Sequence, residues 1–130
     1  MPKNRIIFVF VALSVALIMA GIWITGGPAA GQAERRDAGR LSDLYKLQDL
    51  TFCLAETAGG VLPDEINTSE TCKREIDLID AQSGQAYKYQ RISDRSYLWC
   101  APFEAPDRIQ MFGESRLDVE TGCVQFTYRP

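Results

Sequence analysis

The chain is organised by the stretch IIFVFVALSVALIMAGIWI, residues 6–24, which holds no charged side chain. As a helix rising about 1.5 Å per residue it spans about 28 Å, close to the hydrocarbon thickness of a bilayer. It is longer than the apolar core of about 7 to 15 residues that is usual in a cleaved signal peptide. We therefore expect a transmembrane signal anchor over residues 6–25. A cleaved signal peptide that uses Ala29, Ala30 or Ala33 is the alternative.

The charges on either side of this stretch predict its orientation. Lys3, Arg5 and the amino group precede it, whereas the first charge after it is Glu34. Positively charged residues near a membrane helix are preferentially kept in the cytoplasm. We expect residues 1–5 to be a cytoplasmic tip and the rest of the chain beyond the anchor to lie on the opposite side of the membrane.

Small side chains recur along the anchor at Ala12, Ala16 and Ala20. A spacing of four residues places them on one helix face, where a second transmembrane helix can approach closely. The pattern predicts a packing face, with the ordinary abundance of alanine in such helices as the alternative.

The segment after the anchor predicts a linker and then a helix. Gly26, Gly27 and Pro28 interrupt helical structure, so we expect residues 26–32 to form a flexible stalk. From residue 33 to residue 57 helix formers return, and leucines cover one side, at Leu41, Leu44, Leu47, Leu50 and Leu54. This pattern predicts an amphipathic helix that ends before Gly59 and Gly60. Its first charged turn, residues 34–37, has almost no apolar side and is expected to stand clear of the domain.

The second half of the chain predicts a small antiparallel sheet. Strand patterns cover residues 86–92, 97–103 and 123–128, with a hairpin loop at residues 93–96. Residues 104–119 show no clear pattern. The expected fold class is α+β, with one amphipathic helix packed on the sheet in a domain of residues 33–130.

Four cysteines, Cys53, Cys72, Cys100 and Cys123, show none of the close spacings of zinc or redox motifs. In an oxidising compartment they indicate two disulfides, for which three connectivities exist. We favour Cys53 with Cys72, which joins the helix end to the next loop. The second pair, Cys100 with Cys123, then joins two strands that are expected to be neighbours.

Composition argues against several function classes. The chain has no histidine, which removes His-ligated metal sites and the Ser-His-Asp triad. All 17 acidic residues but only 12 of the 14 basic ones follow residue 28, so this part has a net charge of −5 and nucleic acid is not an expected partner. No local motif brings catalytic residues together. We expect neither an enzyme nor a bound metal or other cofactor.

Aromatic residues are concentrated in the first two predicted strands, at Tyr87, Tyr89, Tyr97 and Trp99. A small domain needs such side chains in its core. Exposed on a sheet face, they would instead form a binding face for glycan or peptide.

The order of elements resembles the plan of type II secretion pseudopilins, in which a membrane helix, an amphipathic helix and a small sheet follow one another. The segment from Asp80 to Tyr89, with its turn, glycine and Tyr-x-Tyr pattern, carries this resemblance. The glutamate that pseudopilins place just inside the apolar run has no counterpart in residues 6–24.

The chain is also similar to uncharacterised small bacterial single-pass membrane proteins with this pseudopilin-like plan. The shared helix motif is matched by Arg36, Asp37, Arg40, Asp43 and Leu44, the strand motif by Tyr97, Cys100, Ala101 and Phe103, and the final strand by Gly122 and Cys123. The resemblance covers residues 35–126 and implies a Cys100–Cys123 bridge, but no activity.

Together these patterns predict a non-enzymatic bitopic protein of the bacterial inner membrane. Its periplasmic domain is expected to act as an accessory or scaffold subunit that binds other membrane protein subunits. A pseudopilin-like secretion component and a periplasmic ligand-binding module are the alternatives.

Overall fold

The computed structural model describes residues 2–74 and 76–130, and the chain divides into two compact units at Ala33 and Glu34. In the first unit, helix α1 covers Pro2–Ile24, and each of its residues is exposed. Phe8 and Trp23 are 74% and 83% accessible. The helix is long and apolar enough to cross a membrane, a property that a signal sequence shares.

Helix α2 covers Gly27–Thr57, so the prediction of a flexible stalk over residues 26–32 is wrong for residues 27–32. Only Thr25 and Gly26 form a turn between the helices, and Gly26 and Gly27 have positive φ angles of 78° and 70°. Pro28 fits the first turn of a helix because it needs no hydrogen-bond acceptor there. Alanine, which follows it, has the highest helix propensity.

The C-terminal end of α2 confirms the predicted stop. The N–H of Gly60 donates to the carbonyl of Ala55 over 2.8 Å, and Gly59 and Gly60 both have positive φ angles, 76° and 90°. Glycine adopts this conformation without the steric penalty of a side chain.

The second unit contains a four-stranded antiparallel sheet. Its strands are β1 (Lys88–Arg91), β2 (Ser96–Cys100), β3 (Arg116–Asp118) and β4 (Cys123–Thr127), in the order β1-β2-β4-β3. The three predicted strands are present but shorter, and β3 lies in the stretch that showed no pattern. The unit is therefore an α+β domain, as predicted.

The core lies between α2 and one face of the sheet. Leu44 and Leu47 of α2 are fully buried, as are Val124 and Phe126 of β4, and Tyr45 packs edge-on against Phe126. The helix and sheet are also joined by a polar contact between buried groups. The indole N–H of Trp99 donates to the hydroxyl of Thr51 over 3.1 Å, and this hydroxyl donates to the carbonyl of Leu47 over 2.7 Å.

Both disulfides have the favoured connectivity. Cys53 pairs with Cys72 and fastens the last turns of α2 to the following loop. Cys100 pairs with Cys123, which lies directly opposite it on β4. Gly122 precedes this bridge with a φ of 70°, and a Cβ at that position would lie 2.6 Å from the carbonyl oxygen of Ala101. Close packing therefore requires glycine there.

Candidate functional site

A cluster of buried charged side chains joins α2 to the turn at Asp80 in the second unit. Asp37, Arg40 and Asp80 are only 1%, 3% and 2% exposed. Arg40 Nε donates to Asp80 Oδ2 over 3.0 Å, and Arg40 Nη1 donates to Asp37 Oδ1 over 2.9 Å. The expectation that residues 34–37 stand clear of the domain is wrong, because Asp37 is buried in an ion pair with Arg40, and pairing makes the burial of both charges possible.

The two carboxylates also hold separate loops on the helix. Asp37 accepts hydrogen bonds from the backbone N–H groups of Glu104, over 2.9 Å, and Ala105, over 2.7 Å. Asp80 accepts from both the backbone N–H and the hydroxyl of Ser83, over 3.0 and 2.6 Å. The cluster therefore fastens the Asp80 turn and the segment after β2 to the same helix turn.

These contacts favour the ionised forms of the buried groups. Burial raises the pKa of the Asp80 carboxyl, but hydrogen bonds from Ser83 and Arg40 outweigh it, and the pKa lies below its ordinary value. Burial lowers the pKa of Arg40, but hydrogen bonds to Asp37 and Asp80 reverse the effect and raise it. The pKa of Glu104 is lowered, chiefly by its hydrogen bond from Arg36.

A cleft of about 350 Å³ opens on one side of this cluster, and we call it the Gly39 cleft. Its lining consists of Arg35, Arg36, Gly39, Arg40, Asp43, Asp80, Ala81 and Gln82. Arg40 and Asp80 are the buried members of this lining, whereas Arg35 is exposed and forms no ion pair with any residue in the described ranges.

Gly39 is the member of this lining that the fold does not explain. It lies in the middle of α2 at a helical position, and a Cβ added there would meet no atom within 4 Å. Glycine in a helix interior is less favourable than alanine by about 0.5–1 kcal/mol. The chain therefore leaves a gap beside an exposed guanidinium group, a shape suited to close approach by another polypeptide.

A second, more apolar groove lies on another side of the same helix turns. It is lined by Glu34, Asp37, Ala38, Leu41, Ala105, Arg108, Ile109, Gln110 and Phe112. A 3-10 turn, Pro106–Arg108, brings Arg108 to Glu34, with 2.7 Å between Nη1 and Oε1. Residues 109–113 follow this turn, and we call them the Phe112 segment.

The cluster and its clefts offer hydrogen-bonding and ionic groups rather than a metal site. Among residues 2–74 and 76–130, no group of three His, Cys, Asp or Glu side chains is placed to hold a metal ion. The carboxylates of Asp37 and Asp80 are engaged by Arg40 and by backbone or hydroxyl donors. Such an arrangement can recognise a polar or acidic chain segment at its edge.

The aromatic residues considered for a binding face form the core instead. Tyr87, Tyr97 and Trp99 are 5%, 1% and 1% exposed, and the part-buried ring of Tyr89 packs at 5.3 Å from that of Trp99. The phenol of Tyr89 donates to the carbonyl of Pro63, and burial raises its pKa to about 12. An exposed platform made of these four rings is therefore absent from the domain, because packing on α2 covers them.

The four cysteines form the two disulfides. Ala12, Ala16 and Ala20 are exposed and lie on one face of α1, and their role in packing against a second membrane helix stays a prediction. Sequence reasoning missed the buried cluster as a unit and the two clefts beside it. The sequence contains two signals of this site, which are the three-residue spacing of Asp37 and Arg40 and a glycine within a helical pattern.

Comparisons of the chain with protein-family models, with curated protein sequences and with solved structures find no match.

Proposed function

We propose that this protein is a non-enzymatic, single-pass protein of the bacterial inner membrane. Its disulfide-linked domain, on the periplasmic side, serves as an accessory or scaffold subunit of a larger membrane protein complex. In this role α1 anchors the chain, and the Gly39 cleft receives a polar or acidic segment of the partner subunit.

The anchoring is supported by the exposed apolar surface of α1. Its large apolar side chains are between 45% and 86% exposed, and so much apolar surface in water is unfavourable by about 25 cal/mol per Å². The two disulfides indicate an oxidising compartment for the domain. Lys3 and Arg5 before α1 favour a cytoplasmic N-terminus.

The partner contact is supported above all by Gly39. The helix would be more stable with alanine at residue 39. No atom of the described domain lies close enough to that position to require glycine. Arg35 provides an exposed cation at the same cleft, while Arg40 and Asp80 form a fixed surface beside it. A partner backbone that packs on Gly39 and an acidic group that pairs with Arg35 would use both features.

The test compares two leucine substitutions in the full chain at its native expression level. Gly39→Leu places a large side chain at the cleft, and the matched control Gln90→Leu introduces the same side chain at an exposed position of β1. Membranes are solubilised gently, and complexes are separated on native gels and identified by mass spectrometry. We expect the wild type and Gln90→Leu to co-migrate with a stoichiometric set of membrane proteins, and Gly39→Leu to migrate alone.

Two controls make the outcome decisive. Gly39→Leu should keep both disulfides and the near-ultraviolet circular dichroism of the wild type, because residue 39 is exposed and a Cβ added there would meet no atom within 4 Å. A wild-type chain that migrates alone would contradict the accessory role. Co-migration that survives Gly39→Leu would contradict the use of the cleft.

A further inference from the structure

The Phe112 segment has the most exposed aromatic side chain of the second unit. Phe112 is 76% exposed, whereas the other exposed large apolar residues of this unit, Val61, Ile79, Ile92 and Val119, are 51% to 55% exposed. The segment reads Ile-Gln-Met-Phe-Gly and carries no charge, although Arg108 and Glu114 flank it. An uncharged segment with a projecting aromatic ring suits the interface between lipid headgroups and acyl chains.

The domain holds this segment in a fixed place near its own first residues. Arg108, directly before the segment, pairs with Glu34, the first residue of the second unit. Asp37 accepts backbone hydrogen bonds from Glu104 and Ala105, so the preceding loop is held on the same helix turn. The Phe112 segment is therefore fixed beside the point at which the chain enters the domain.

Chain length limits how far this point can lie from the membrane. Glu34 follows Ile24, the last residue of α1, by only ten positions. Even fully extended, ten residues span at most about 35 Å. A weakly binding group on so short a tether has a high effective concentration at the bilayer surface.

We infer that the Phe112 segment is a second membrane contact, in which Phe112 inserts into the interfacial region of the bilayer crossed by α1. This inference rests on the anchoring proposed above, and it adds a defined lipid-facing side to the domain. A bilayer is favoured over a protein partner as the occupant because the tether guarantees its proximity.

The experiment places a tryptophan reporter at the segment in the full chain. Phe112→Trp and the control Ile92→Trp, which replaces another exposed apolar residue, are each made together with Trp23→Phe to remove the anchor's fluorescence. The buried Trp99 remains as an internal reference. The proteins are reconstituted into nanodiscs of phosphatidylcholine and phosphatidylglycerol in equal amounts, with and without lipid that carries a nitroxide near the headgroup.

We expect Phe112→Trp to show a blue-shifted emission that the nitroxide lipid quenches strongly, while Ile92→Trp remains red-shifted and unquenched. Emission from Phe112→Trp that matches this control, in protein that co-elutes with the nanodiscs, would overturn the inference and leave the anchoring intact. A blue shift without lipid quenching would also overturn it, by indicating contact with a second copy of the chain. Failure of the full chain to co-elute with nanodiscs would overturn the inference and the proposed anchoring together.

Discussion

Replacement of Arg40 by methionine should destabilise the domain far more than the same change at Arg36. Methionine retains most of the aliphatic volume of arginine but removes the charge. At residue 40 this leaves Asp37 and Asp80 without the cation to which both are hydrogen-bonded, at 2.9 and 3.0 Å. Arg36 also contacts a carboxylate, that of Glu104 at 2.7 Å, but both side chains are more than one-third exposed.

The difference in burial sets the expected magnitudes. Breaking a buried ion pair by removing one partner lowers the free energy of unfolding by about 3–5 kcal/mol. An exposed pair contributes only about 0–1 kcal/mol. With a urea dependence of about 1.5 kcal/mol per molar, Arg40→Met should lower the unfolding midpoint by about 2–3 M, and Arg36→Met by less than about 0.7 M.

The assay is equilibrium urea unfolding of the full chain in detergent micelles with both disulfides intact, followed by Trp99 fluorescence. Adding Asp80→Asn to Arg40→Met should restore part of the lost stability, because it removes one of the two unpaired buried charges. Equal midpoints for Arg40→Met and Arg36→Met would refute the assignment of the cluster as a buried unit held together by Arg40.

Three further predictions concern the same domain. Because the pKa of Asp80 is lower in the folded than in the unfolded state, the unfolded chain binds its proton first on acidification. The unfolding midpoint in urea should therefore change little through this group above about pH 5 and fall below about pH 4, with a shallower fall in Asp80→Asn. Replacing both cysteines of either disulfide with alanine should lower the free energy of unfolding by about 3 kcal/mol in the loop-entropy model, measured by urea unfolding. Thr51→Val leaves the buried N–H of Trp99 without its acceptor and should lower stability by about 1–3 kcal/mol, whereas Thr57→Val, at an exposed helix end, should change it by less than about 0.5 kcal/mol.

The elements that were predicted from the sequence are those with a local signal. Leucine periodicity marks α2 and a glycine pair marks its end, so the helix beyond residue 33 needs no long-range information. Tyr97 and Trp99 mark β2 in the same way, and Tyr87 and Tyr89 mark the start of β1 and the residue before it. The cysteine pairs could be chosen because these elements already restricted which cysteines are neighbours.

The buried cluster could not be predicted because its members are distant in sequence. Asp37 and Arg40 are three residues apart, but Asp80 is 40 residues beyond Arg40, where its surroundings indicate only a turn. After β2, Glu104 and Ala105 donate their backbone N–H groups to Asp37 instead of to a strand, and no side-chain pattern reveals such contacts. A run of charged residues near the start of a helix usually indicates a solvent-exposed segment. Here the ion pairs of Arg40 with Asp37 and Asp80 allow these charged side chains to be buried instead.

The sheet order has a consequence for the synthesis of the protein. β4 follows the other strands along the chain, yet it lies between β2 and β3 and supplies the buried Val124 and Phe126. A nascent chain that has been synthesised only as far as residue 122 lacks a central strand and has no partner thiol for Cys100. Such an intermediate exposes both an open strand edge and a reactive sulfur, which chaperones and oxidoreductases can bind. Completion of the domain therefore waits for its last strand, and a chain truncated before Cys123 keeps both features permanently.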